Sequence, residues 1–232
     1  MRPLGFVALI GVLLVAAGCG SSDKSSASSG AGTQAAAQQS AAAGGGSQGG
    51  CTKASAPAPR PDGSEKKPKT KLSASKTYTV TVQTNCGTFA FKLDVKDSPD
   101  TTAAFAGLVK RGFFNGLTFH RIVPGFVIQG GDPKGDGTGG PGFKTVDPPP
   151  SNADYSQGVV AMAKGGTEPA GAAGSQFFVV TGQDAQLPPD YALLGKVTKG
   201  LSVVEQIGKL GTQSQEGTPT QTIVMQKVSV SP

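Results

Sequence analysis

The sequence contains no tryptophan, a single histidine and only three cysteines in 232 residues. One histidine without a second, and without a nearby cysteine pair, leaves too few ligands for a zinc or other transition-metal centre. A Ser-His-Asp arrangement is excluded on similar grounds, because Ser175 would have to find His120 and the chain offers no other imidazole. Neither a metal nor a cofactor is expected. The glycines at 130, 131, 135, 137, 139, 140 and 142 are followed by no Gly-Lys-Ser or Gly-Lys-Thr, so they read as turn formers and not as a phosphate loop. The one long apolar run, Leu4 to Ala17, falls short of the roughly 20 residues of a membrane-spanning helix.

Charge is also scarce, at 16% of residues, and unevenly spread. Residues 1–76 carry 9 Lys and Arg against 3 Asp and Glu, whereas residues 77–232 carry 12 of each. The net +6 therefore sits in the N-terminal third, where nothing is apolar enough to fold, and nucleic acid is not expected as a partner. Ten of the eleven Phe follow residue 88, which marks the last 155 or so residues as the part able to bury a core.

Arg2 followed by the apolar run reads as an export signal over residues 1–18. Its end, Ala16-Ala17-Gly18-Cys19, resembles the lipobox of bacterial lipoproteins, with Ala16 in place of the usual Leu. That resemblance implies lipidation of Cys19 and a palmitate-type anchor on the extracytoplasmic face of a bacterial cell membrane, since two or three acyl chains hold stably at about 0.8 kcal/mol per buried methylene. From Gly20 to Lys76 there is no Phe, Tyr, Ile or Val; Ser, Gly, Ala and Gln and then Pro and Lys dominate, and Leu72 alone breaks the pattern. Such a segment cannot offset its ordering entropy, so residues 19–76 are expected to be a disordered tether. The lysines at 66, 67, 69, 71 and 76 read as a solvated charge run. Cys51 and Cys86 could pair in an oxidising compartment. Because Cys51 lies in the tether, about 25 residues outside the expected domain, the weight falls on two unpaired cysteines.

From Tyr78 the pattern alternates: Tyr78, Val80 and Val82, then Asn85-Cys86-Gly87, then Phe89, Phe91 and Leu93, which is a β-hairpin. Ser98-Pro99-Asp100 supplies an N-cap, a first-turn proline and a first-turn acid for a helix with Ala104, Phe105, Leu108 and Val109 on one face and Gly112 at its end. Further strands are expected at 118–123, 126–129, 158–163, 176–181, 193–197 and 223–230, with a second helix near 201–210. About eight short strands and two helices predict a mainly β domain over 77–232, a closed barrel capped by helices.

Residues 119–133, F-H-R-I-V-P-G-F-V-I-Q-G-G-D-P, resemble the signature of the cyclophilin family of peptidyl-prolyl cis-trans isomerases almost residue for residue. Gly112-Phe113-Phe114-Asn115-Gly116 before it and Gly174-Ser175-Gln176-Phe177-Phe178 after it keep the family's order and spacing. The resemblance implies an eight-stranded closed β-barrel with a helix over each end and an outer groove for a proline-containing peptide.

The chemistry of that reaction matches these residue types. Rotation about X-Pro is opposed by about 18–20 kcal/mol of amide conjugation. Twisting turns the prolyl nitrogen into a hydrogen-bond acceptor, so a donor aimed at it favours the transition state over both ground states. A guanidinium is permanently charged and rigid, and the motif places Arg121 in that role. The resemblance puts the pocket for the proline ring on Phe126, Val127, Phe178 and Leu187, the polar residue that orients the arginine on Gln129, and the rest of the groove on Ala163, Lys164, Gln176 and Tyr191. Lys164 is expected to act through its main chain. The chain departs from the family at Lys164, where Asn is frequent, at Tyr191, where His is, at Val127, where Met is common, and at Gln186, where Trp accompanies tight cyclosporin binding; weak cyclosporin binding is expected. His120 neighbours Arg121 and is expected to be structural. Together these readings describe a monomeric, lipid-anchored isomerase acting on unfolded exported proteins. The alternative is a binding or scaffold protein that holds proline-containing segments without turnover, or a surface lipoprotein that merely displays the domain.

Overall fold

A computed structural model describes residues 50–214 and 216–232. The export signal, Cys19 and the first part of the tether lie outside the described residues. Chain order is β1 (Thr79–Thr84), β2 (Gly87–Leu93), α1 (Pro99–Lys110), β3 (Arg121–Val123), β4 (Val127–Gly130), β5 (Thr145–Val146), β6 (Val159–Met162), β7 (Ala172–Ala173), β8 (Phe177–Val180), β9 (Leu193–Lys199), α2 (Leu201–Gly208) and β10 (Met225–Ser231). The expected hairpin, both helices and six further strands stand where the periodicity put them; β5 and β7, two residues each, carry no period to read.

Eight strands form one antiparallel sheet in the order β10-β1-β2-β9-β6-β8-β4-β3, and β5 pairs with β7 apart from it. The expectation of a closed barrel is corrected: the sheet is a curled half-barrel whose edges are β10 and β3. β3 is only three residues long, and the chain just before it meets the start of β10 through the isolated bridge Thr118 to Val224 and the backbone bonds Gly116 N–H to Met225 O, Met225 N–H to Leu117 O and Phe119 N–H to Ile223 O, with no β3–β10 ladder beyond them. Bulges between Gln83 and Thr84, Ala90 and Phe91, and Val160 and Ala161 accompany the curl.

Two apolar clusters flank the central strands. Inside the curl lie Val80, Val82, Phe89, Phe91, Ile122, Ile128, Val160, Met162, Phe177 and Val179, joined by Phe105 of α1. Phe105 stacks on Phe114 at 4.6 Å and meets Phe177 edge-on at 5.4 Å, geometries that aromatic quadrupoles favour. Outside lie Val127, Tyr155, Val159, Ala161, Phe178 and Val180. Because side chains alternate along a strand, β6 and β8 are buried throughout, one residue facing each cluster in turn.

Helix α1 begins at Ser98-Pro99 as expected, but the Ser98 hydroxyl makes no capping bond. Asp147 takes that task, its Oδ2 accepting from Thr101 N–H at 2.6 Å. Gly112, at φ +71°, ends the helix turn.

Residues 50–76 form no helix or strand, yet they are not loose. Cys51 is disulfide-bonded to Cys86, against the reading that left both unpaired. Thr52 N–H donates to Asn85 O, and Asn85 Nδ2 donates back to Thr52 O at 2.7 Å. The Arg60 guanidinium donates to Phe113 O and lies over its ring; Glu65 pairs with Arg111 and Lys71 with Asp100. Residues 50–76 are thus bonded to the domain at several points along their length. Composition could not reveal this, because the segment is held by backbone bonds, ion pairs and one disulfide, with little burial of its own. Among the described residues no helix is long and apolar enough to cross a membrane.

Candidate active site

The β3-β4 hairpin places the first two site residues. Arg121 pairs in register with Gln129, and the turn between them runs through Gly125 at φ +72°. Alternation sends Ile122 and Ile128 into the inner core and leaves Arg121, Val127 and Gln129 on the outer face. β4 in turn pairs with β8, setting Gln129 opposite Phe178.

These residues enclose a cavity of about 180 Å³, well below the roughly 300–1,000 Å³ of drug-sized ligand pockets, a size for one side chain. Val127, Phe178 and Leu187 form its apolar walls, with Phe126 at the rim. Arg121 sits over the Phe126 ring with its guanidinium carbon 5.8 Å from the centroid. Its Nη1 donates to Gln129 Oε1 at a long 3.5 Å. Partial burial lowers the Arg121 guanidinium from its ordinary value, opposed by Tyr191, and an arginine stays charged throughout the physiological range.

Ala163, Lys164 and Tyr191 complete the lining. The Lys164 side chain is turned into the protein. It is only 4% exposed, and its ammonium is held by Asp190 Oδ2 at 2.6 Å and Glu168 O at 3.0 Å, 5.7 Å from the Tyr191 ring centre. A buried, paired cation of this kind is part of the wall.

Gln176 does not line this cavity. It stands in a second one of about 680 Å³ that opens beside it and shares Gln129, Ala163 and Lys164 with it. Its amide nitrogen donates to Gly137 O and Gly139 O, both at 2.9 Å, while its oxygen accepts from Gln129 Nε2 at 3.0 Å. The larger space is lined mainly by residues 137–144, whereas the smaller brings the guanidinium together with the walls of Val127, Phe178 and Leu187.

The sequence did not disclose Tyr155, which is buried in the outer cluster. Its hydroxyl donates to Tyr191 O at 2.7 Å and accepts from Tyr191 N–H at 3.0 Å, fixing the Tyr191 backbone from 36 residues away. Phe178 and Tyr191 meet edge-on at 5.5 Å. Asp190 was missed as well. The adjacent Pro188-Pro189-Asp190-Tyr191 turn was the one local hint.

His120 lies outside the cavity lining. Both of its nitrogens are buried without a hydrogen-bond partner among the described residues, and burial lowers its pKa from the ordinary value despite Asp132. Among the described residues no group of His, Cys, Asp and Glu could hold a metal.

The cavity joins a guanidinium and an amide to apolar walls, has no Ser, Cys, His, Asp or Glu in its lining, and has its one ammonium, Lys164, already paired with Asp190, so it presents no nucleophile–base pair. It suits a noncovalent site that grips one apolar ring and offers it hydrogen bonds, as rotation about a prolyl bond requires.

Comparison with known proteins gives the same class. The family described as "Cyclophilin type peptidyl-prolyl cis-trans isomerase/CLD" matches residues 79–230. A peptidyl-prolyl cis-trans isomerase of Helicobacter pylori is 40% identical over 129 residues, covering 54% of this chain and 77% of its own length. Peptidyl-prolyl cis-trans isomerase B of Bacillus subtilis is 41% identical over 118 residues, covering 50% and 80%. The crystal structure of a cyclophilin-type isomerase of Cryptosporidium parvum superposes with a TM-score of 0.61 at 28% identity, over 68% of this chain and 99% of that one. A structure of the same protein in the presence of the dipeptide Ala-Pro gives a TM-score of 0.60. The chain belongs to the cyclophilin-type peptidyl-prolyl cis-trans isomerases.

Proposed function

We propose that the 180 Å³ cavity holds the proline ring of an X-Pro peptide and that Arg121 donates to the prolyl nitrogen as the bond twists. Phe126, Val127, Phe178 and Leu187 grip the ring, so that rotation occurs on the carbonyl side. Gln129 orients Arg121, Gln176 orients Gln129, and Ala163, Lys164 and Tyr191 shape the groove for the flanking peptide. The observation that carries this reading is the register of β3 on β4: Arg121 and Gln129 stand opposite each other on the face that bears the apolar cavity.

Substrates are exported proteins whose folding waits on X-Pro exchange, which takes tens to hundreds of seconds uncatalysed. The domain works as a monomer at the extracytoplasmic face of the membrane, held through a lipid on Cys19. With Gln186 exposed and outside the cavity lining, nothing like an indole faces the groove, and cyclosporin binds weakly.

The test is the cis-to-trans rate of an X-Pro peptide with the full chain and with Arg121→Ala. Loss of one donor that acts only in the transition state costs about 100-fold in kcat, about 2.7 kcal/mol, with affinity for the peptide changed little. A folded Arg121→Ala protein within 3-fold of the parent rate refutes the assignment.

A further inference from the structure

Residues 60–65 precede the region matched by the family, yet they run along the loop that frames the second cavity. Arg60 N–H donates to Pro133 O at 2.8 Å, Gly63 N–H to Gly140 O at 2.9 Å and Glu65 N–H to Pro141 O at 3.0 Å. Asp62 grips the same loop with both carboxylate oxygens: Oδ1 accepts from Gly140 N–H at 3.1 Å and Oδ2 pairs with Lys134 Nζ at 2.6 Å. The contact is backbone against backbone. A Cβ at Gly63 would land 2.6 Å from Pro141 O, and one at Gly142, which has φ +90°, would run into Gly63 O.

The other side of that loop holds the site. Gly137 O and Gly139 O accept both bonds from Gln176 Nε2, Gln176 Oε1 accepts from Gln129 Nε2, and Gln129 Oε1 accepts from Arg121. Glycine-rich backbone has little stiffness of its own. Within the loop, Asp132 is buried and accepts from Lys134 N–H at 2.9 Å and Gly137 N–H at 2.5 Å. The strand of chain at 60–65 supplies the outer brace. Asp62 also contributes directly to the lining of the second cavity, next to the proline pocket.

We infer that residues 60–65, Asp62 and Gly63 above all, are positioning residues of the isomerase site: they hold the 132–142 loop so that Gln176 and Gln129 present Arg121 to the prolyl nitrogen. This rests on the role proposed for Arg121. A second strand of chain pinning a flexible loop costs entropy once, on folding, and leaves less to be lost when the peptide binds.

The experiment compares the full chain with Gly63→Ala, each in the parent and in a Gln176→Ala background, by cis-to-trans kinetics at a temperature where circular dichroism shows all four folded. Gly63→Ala is expected to lower kcat about 3- to 10-fold with KM changed less than 2-fold, and to have less than a 1.5-fold effect once Gln176 is gone, because the coupled pair is not additive. Equal losses in both backgrounds, or no loss in the parent, overturn the inference. If Gly63→Ala does not fold, Asp62→Ala, which adds no atoms, takes the same test with the same two outcomes. Arg121→Ala run alongside separates the two proposals. If it keeps the parent rate, the assignment of Arg121 fails and this one with it; if it is inactive while Gly63→Ala retains parent kcat, only the brace fails.

Discussion

Removing the Cys51–Cys86 bridge measures how firmly the N-terminal segment is part of the domain. The bonded residues are 35 apart in sequence. Closing a loop of that length in the unfolded chain removes about 4 kcal/mol of conformational freedom at 25 °C on the chain-entropy relation. That figure appears as stability only if the loop is also fixed in the folded state; a tether free in both states would be restricted equally in both, and the terms would cancel. Here Thr52, Arg60, Gly63, Glu65 and Lys71 are each bonded to the half-barrel, so most of the 4 kcal/mol is expected. Cys51→Ser is the right perturbation, because Cys51 is half-buried whereas Cys86 is 4% exposed in the inner cluster and a serine there would bury a hydroxyl. Urea unfolding of the full chain should show a midpoint lower by about 2 M, taking a slope of roughly 2 kcal/mol per molar. Parent protein under reductant should move by the same amount. A loss below about 1 kcal/mol refutes the reasoning, since it would mean that residues 52–76 stay as free in the folded protein as in the unfolded one.

Two further outcomes follow from buried polar groups. Asp147→Ala strips the acceptor from the first turn of α1 and should cost about 1–2 kcal/mol in urea unfolding, within the range of lost N-caps, with Asp147→Asn recovering part of it. His120 is held neutral by burial, its pKa lowered, so below its ordinary value near 6.5 the unfolded chain binds more protons than the folded one. Stability should therefore fall as pH drops from about 6.5 towards the lowered folded value, at no more than about 1.4 kcal/mol per pH unit, and His120→Gln should flatten that fall. With the permanently charged Arg121 as the proposed donor, the isomerase rate of folded protein should stay level between about pH 6 and 8 and be unaffected by EDTA.

The contrast between what could and could not be read from the sequence follows the range of the interactions. The hairpin of β1 and β2 announces itself because Val80, Val82, Phe89, Phe91 and Leu93 all face one core and keep a period of two. β6 and β8 are buried on both faces and show only apolar runs. Whether Phe178 faces inside or outside is invisible in Phe177-Phe178-Val179-Val180 alone, and only its register against Gln129 puts it in the groove. The closure of the sheet was overread for a related reason: strand count and length say how much sheet there is, while the meeting of its edges depends on the turns around Thr118 and Val224.

The same logic separates the groove from its supports. Arg121, Phe126, Val127 and Gln129 lie within nine residues on one hairpin, so a contiguous motif exposes them together. The groups that hold them come from 36 to 78 residues away: Tyr155 against Tyr191, Gln176 against Gly137 and Gly139, Asp62 against Gly140. None has a local pattern, because a hydrogen bond from a side chain to a distant backbone demands only one polar atom in the right place. Asp62 is the extreme case, since low apolar content correctly predicts that its segment cannot fold alone and says nothing about whether a folded neighbour can hold it. A disulfide at one end and glycine against glycine at 63 and 142 supply that hold, with only Cys51 and Leu72 of the segment packed on the apolar core. Composition therefore sets the lower limit of the domain, and chain that packs on its loops and lines its cavities, as Asp62 does, can lie beyond it.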